Sequence, residues 1–238
     1  MSRAAYWRSI ATILVFVLAA CQTSPAQRQG EVTATVPSNP DRTATYAIYL
    51  HDIALDRAPD DPERRAQLGR VTAKLASEGI NTIAEVRPVG TIQKFPDDQE
   101  RYAKKVAGQV AQLLSAGVPA RRVNVVGYSR GAFIAVLAST YVSNSEVGYV
   151  VLAACMNETG AFKQFAPPMM RYSERLSGQF LFIWDQADPD FGSCAPYFAK
   201  ARSRPANVEM MFTTGKGHQF GAEPDVWIGP AVKWMQGR

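Results

Sequence analysis

Arg122-Val123-Asn124-Val125-Val126 runs straight into Gly127-Tyr128-Ser129-Arg130-Gly131-Ala132, and the fold turns on this stretch. The first five residues are a β-branched, largely apolar run of strand length. The next five fit G-x-S-x-G, and Ala132–Val142, apolar and rich in small and β-branched residues, reads as a helix. A serine at such a junction sits on a sharp strand-to-helix turn that lifts its hydroxyl clear of the sheet. Gly127, Gly131 and Ala132 relieve the crowding of that turn. The helix N-terminus aims backbone N–H groups at any negative charge that develops there. A glycine-rich βα turn with a capping serine has the same composition, so the neighbours of the motif must decide.

On both sides, short apolar runs alternate with longer amphipathic ones. Thr45–Leu50, Ile80–Val86, Gly148–Ala153, Gln179–Trp184 and Val208–Phe212 read as strands. Asp61–Glu78 and Gln99–Ala116 carry apolar residues at helical spacing, and each is closed by a glycine. Asp225–Met235 reads as a closing helix that Pro230 kinks or delays. The alternation predicts one α/β domain over residues 45–238: a doubly wound, mostly parallel sheet of about six strands, helices on both faces and a minimal cap. The length of 238 residues and the 47% hydrophobic content suit a single full core and exclude intrinsic disorder. Ligands bind such sheets at the carboxyl ends of the strands, so residues just past each strand are the functional candidates. Met156–Ser177 is the one long insertion. Phe162, Phe165, Met169 and Met170 either line an acyl pocket as a small lid or belong to an ordinary crossover helix broken by Pro167-Pro168.

Through the elbow and the residues just past the later strands, the chain from Thr45 to Trp234 resembles the α/β-hydrolase superfamily, whose triad runs nucleophile, acid, histidine. The resemblance implies Ser129 as nucleophile. It implies Asp188, ahead of Pro189, as acid, with Asp185 and Asp190 as rivals, and His218 of Gly215-Lys216-Gly217-His218 as base. The chemistry needs this trio, because a serine hydroxyl becomes nucleophilic only when an imidazole takes its proton, and a carboxylate fixes the imidazole tautomer. The resemblance also places oxyanion-hole N–H groups at Arg130 and Asp52. Many relatives have His-Gly where this chain has His51-Asp52, so a carboxylate there must point away; His51 itself reads as structural. The strings Glu85–Thr91 and Val125–Gly131 also resemble a broad group of uncharacterised bacterial α/β hydrolases. The implied activity is cleavage of an ester or related acyl bond in a small molecule. The alternatives are an acyltransferase with the same triad and a silent binding or scaffolding protein of the same fold.

Arg3 and Arg8 precede an uncharged apolar run, Ile10–Ala20, too short at 1.5 Å per residue to cross ~30 Å of hydrocarbon. That is the pattern of a secretory signal. Leu18-Ala19-Ala20-Cys21 resembles the lipobox of bacterial lipoproteins, which implies a lipidated Cys21 after removal of residues 1–20. An ordinary signal peptide or a buried helix are the alternatives. Gln22, rather than Asp, implies outer-membrane sorting, hence a cell-envelope protein facing the periplasm. Residues 21–44, rich in Pro, Ser, Thr and Gln, read as a flexible tether. Losing residues 1–20 lowers the formal charge from +5 to +3. The remaining basic residues are scattered, which disfavours nucleic acid. With Cys21 lipidated, Cys155 and Cys194 form an even pair after neighbouring strands, and a disulfide is expected, with two free thiols as the alternative. Only two histidines, far apart, argue against a metal site; no cofactor is expected, and the chain is expected to be a monomer.

Overall fold

In the computed structural model, residues 29–90, 93–203 and 205–238 are described. The expected signal and Cys21 lie outside them. The chain runs β1 (Val32–Thr33), β2 (Thr45–Leu50), α1 (Ile53–Arg57), α2 (Pro62–Ser77), β3 (Ile80–Ala84) and α3 (Asp97–Ser115). The elbow comes next as β4 (Val123–Tyr128) and α4 (Arg130–Ser139), then β5 (Gly148–Leu152), β6 (Cys155–Met156) and α5 (Ala166–Ser173). The last third holds β7 (Gln179–Asp185), β8 (Phe191–Gly192), α6 (Ala195–Phe198), β9 (Ala206–Phe212) and α7 (Pro224–Gly237).

Seven strands pair in the order β1-β3-β2-β4-β5-β7-β9, every neighbour parallel. Strand alternation divides the apolar side chains between two cores, because successive residues point to opposite faces. Tyr46, Ile48, Val125, Tyr149, Val151, Phe180 and Phe182 pack with Val106, Val110 and Leu113 of α3 and with α4. Ala47, Tyr49, Val126, Val150, Leu152, Leu181 and Ile183 pack on the other face with Val71 and Leu75 of α2 and Trp227, Ile228 and Ala231 of α7. α4 is buried along its length, which explains why its sequence has no polar stripe. α2 begins where Asp61 accepts the Glu63 and Arg64 N–H groups at 2.9 and 3.0 Å, with Pro62 at its first position.

Among the described residues the sheet holds the six expected strands and one more, β1. Val32–Thr33, within the stretch read as tether, pairs with Thr82–Ile83, and Gly30 fits against the Ile80 backbone where no side chain could. A two-residue strand is too short to carry an apolar period. Pro167 and Pro168 stand in the first turn of α5 instead of breaking it, where a missing N–H costs no helical bond. The Met169 side chain lies outside those described. Pro230 sits inside α7 and does not delay its start.

The strand order reverses between β2 and β4. β2 leads through α2 to β3 on one side, and β4 leads through α4 to β5 on the other. That switch point opens a crevice at the carboxyl ends of the two central strands.

Candidate active site

Ser129 comes directly after β4 at the switch point with φ 55° and ψ −117°, a backbone conformation rare for a residue with a side chain. The strain is held by packing. A Cβ on Gly127 would lie 2.6 Å from the Ala132 nitrogen, and one on Gly131 would lie 2.6 Å from the His51 carbonyl oxygen. The Ser129 N–H is fixed by the Leu152 carbonyl at 2.9 Å. The hydroxyl is thereby turned toward His218, whose Nε2 lies 2.9 Å from Oγ.

The end of β7 and the loop after it carry three aspartates, and the structure gives them three different partners. Asp188, 5% exposed, receives His218 Nδ1–H on Oδ2 at 2.8 Å, while its Oδ1 accepts the N–H groups of Asp190 and Phe191 at 3.0 and 3.2 Å. Both oxygens are engaged, and the imidazole is held as the tautomer that leaves Nε2 free to accept. Asp185 accepts the Ala187 N–H and the Thr214 N–H and hydroxyl, so it ties the loop after β7 to the loop after β9. Burial alone would raise its carboxyl. The Thr214 hydroxyl and the N–H groups of Ala187, Thr214 and Gly217 outweigh that and hold it below the usual carboxylate range. Asp190 accepts the Ala161 N–H at 2.6 Å and anchors the insertion.

His218 arrives from the loop after β9. The Tyr128 hydroxyl donates to its carbonyl at 2.7 Å, and its ring stacks on Phe191 with centroids 4.7 Å apart. Nothing local marks Tyr128 in the sequence, because its side chain meets His218 only through the fold. Cys155 and Cys194 form a disulfide with S–S 2.00 Å and Cα–Cα 5.2 Å. It closes the base of the two-stranded β6-β8 ribbon, whose Met156 and Phe191 line the site.

Across the crevice, Asp52 stands at the N-cap of α1 and its carboxylate accepts the Leu55 N–H at 3.3 Å, so the acid is occupied by the helix it starts. Arg130 takes the first position of α4, where backbone N–H groups point out of the helix end. His51 is 4% exposed and structural. It donates Nδ1–H to the Asp52 carbonyl at 2.9 Å and accepts the Arg87 N–H on Nε2 at 3.2 Å. Burial first, then the Arg87 charge, push its pKa down to about 3, which keeps it neutral.

Ser129 and His218 open into a cavity of about 540 Å³, within the usual range for small-ligand sites. Its walls are Phe95, Phe133, Phe162, Phe165, Phe191 and Met156, with Ile53, Arg57 and Arg130 on the side of α1. Phe162 and Phe165 of the insertion thus reach the site, as the lid reading requires, while Met170 packs against the main core instead. A larger polar cleft of about 760 Å³ lies at the amino ends of β2 and β3, away from these groups. Among the described residues no group of His, Cys, Asp and Glu could hold a metal ion, and no helix is long and apolar enough to cross a membrane.

Solved structures share this fold, hydrolases among them. SOBER1 of Arabidopsis thaliana superposes with a TM-score of 0.52 at 11% identity, over 81% of this chain and 99% of that one. The Pf2001 esterase of Pyrococcus furiosus superposes with a TM-score of 0.55 at 15% identity, over 82% and 84%. A serine hydrolase without a lid from Xanthomonas campestris superposes with a TM-score of 0.53 at 18% identity, over 84% and 85%. The chain has the α/β-hydrolase fold. No family model matches the sequence, and no curated protein matches it.

Proposed function

We propose that this chain is a serine hydrolase that cleaves an ester or related acyl bond through an acyl-enzyme on Ser129. The observation that carries the reading is the unbroken hydrogen-bonded series Ser129–His218–Asp188, with spacings of 2.9 and 2.8 Å, at the mouth of an apolar cavity. Ser129 Oγ attacks the acyl carbon as its proton passes to His218 Nε2. The oxyanion that forms is met by backbone N–H groups of Arg130 and of the Asp52 segment. Collapse expels the alcohol, which takes the proton back from Nε2. Water then repeats the sequence on the acyl-enzyme, and His218 returns the proton to Ser129. Asp188 orients the ring and stabilises the imidazolium that forms. The aromatic walls suit an uncharged acyl or aryl group. Likeness to esterases at this identity supports the fold, and the activity rests on the site.

The test is a fluorophosphonate probe followed by intact mass on the full chain in detergent. One adduct on Ser129, absent in Ser129→Ala and in His218→Ala, is the expected result. A folded, unlabelled wild-type chain would refute the reading and leave a binding protein of this fold. Added alcohols then distinguish hydrolysis from acyl transfer by where the acyl group goes. Export and anchoring through Cys21 form the second part of the proposal. Cys21→Ser is expected to move the protein from the membrane fraction to the soluble fraction, and mass analysis of the mature N-terminus checks the lipid.

A further inference from the structure

The segment just past β2, opposite the nucleophile, is held by a buried ion pair that the triad does not touch. Arg87, three residues past β3, is 1% exposed, and its partner Asp56 on α1 has a side chain 8% exposed. Arg87 Nε donates to Asp56 Oδ1 at 2.6 Å and Nη2 to Oδ2 at 2.9 Å, the two-pronged geometry a guanidinium makes with a carboxylate. The second N–H of Nη2 is shared between the His51 carbonyl at 2.7 Å and that of Asp52 at 2.9 Å, and the Arg87 backbone N–H holds His51 Nε2. One side chain therefore fastens two successive peptide units and the first helix beyond them. Asp56 Oδ2 also lies 3.7 Å from Nη1 of Arg130, the residue after Ser129. The pair thus meets the turn after β2 directly and, through Asp56, the side chain of the residue after Ser129.

Stability alone does not explain it. A buried ion pair stabilises little over apolar residues of the same volume, so what it holds in place is the informative feature. The geometry is specific, since every carbonyl bonded by Arg87 belongs to the turn His51–Asp52. Fixing those carbonyls fixes the peptide planes, and with them the direction of the N–H groups of Asp52 and Ile53. An oxyanion is stabilised only by donors already aimed at where the charge will form, about 2.7–3.1 Å away. We propose that Arg87 and Asp56 are positioning residues of the oxyanion hole, holding the 51–53 segment in register with Ser129. This rests on the serine-hydrolase reading.

Arg87→Lys keeps the charge but loses the fork, and Asp56→Asn keeps the shape but loses the charge. Both are assayed with wild type on p-nitrophenyl butyrate, each well below its own melting temperature, with circular dichroism as the check on folding. The expected result is a fall in kcat of about 10²-fold, the cost of misplacing a group by about 1 Å, with KM within threefold of wild type. A trifluoromethyl ketone, whose hemiketal oxyanion occupies the hole, should weaken in parallel with kcat/KM. Arg121→Lys, in an exposed pair with Glu146, is the control and should leave kcat unchanged. If Arg87→Lys does not fold, Asp56→Asn decides. Unchanged kcat and ketone affinity in either folded variant would overturn the proposal. An inert wild-type chain that the probe does not label would instead overturn the hydrolase reading itself.

Discussion

Gly131→Ala tests the packing that makes the elbow possible. Gly131 is the second residue of α4, and helix propensity alone would have alanine stabilise that position by about 1 kcal/mol. The structure gives the opposite sign. The new methyl would sit 2.6 Å from the His51 carbonyl oxygen and nearer still to the Leu50 carbonyl, where ordinary contact begins at 3.4 Å. Clearing the His51 oxygen alone needs 0.8 Å, the Leu50 carbonyl needs more, and both neighbours are backbone, which cannot rotate away. Overpacking of this kind costs about 1–3 kcal/mol, which for a domain of this size lowers Tm by roughly 2–12 °C. The displaced segment carries the Asp52 N–H, so kcat on a simple ester should fall about 10²-fold. Gly108→Ala is the control: it lies on the exposed face of α3 with nothing near its missing Cβ, and should raise Tm by about 1–4 °C. The assays are calorimetry and ester hydrolysis on both variants. A Gly131→Ala protein as stable and as active as wild type would refute the close approach of α4 to the loop after β2.

The acid, the buried histidine and the disulfide can each be tested separately. Asp188→Asn should lower kcat by about 10⁴-fold with little loss of stability, whereas Asp185→Asn should mainly lower Tm by loosening the Thr214 loop; the reverse ranking would move the acid role to Asp185. His51 is neutral when folded and takes up a proton when unfolded below its ordinary pKa of about 6.5, so its contribution is present above that pH and is lost as pH falls toward 3. Stability measured by urea unfolding should drop by about 2 kcal/mol from pH 7 to pH 5, and His51→Gln should flatten that slope by one proton. Reducing Cys155–Cys194, which closes a separation of 39 residues, should cost about 4 kcal/mol, read as a lower Tm with reductant that Cys155→Ser/Cys194→Ser reproduces without it.

Short-range rules made part of this architecture legible in the sequence. The period-2 division of Tyr46–Tyr49 and Phe180–Ile183 between two cores, and the uninterrupted apolar α4, are local patterns with one structural solution. Asp188 could be placed among three aspartates only by resemblance, and hydrogen bonds to different partners then separated the three. The Arg87–Asp56 pair stayed hidden for a physical reason. The two residues are 31 apart and charged, so each alone reads as surface, and only the fold brings them together under α1. α1 itself, five residues long, and β6 and β8, two each, are too short to show any period. Their positions are set by the Asp52 cap and the disulfide.

The short first strand also gives the molecule two poles. Because β1 runs parallel to β3 beside Thr82 and Ile83, Gln29 and Gly30 lie at the end of the sheet where the strands start, while Ser129, Asp188 and His218 all lie past strand ends. The polar cleft at the amino ends of β2 and β3 and the apolar cavity at Ser129 therefore open at opposite ends of the same sheet.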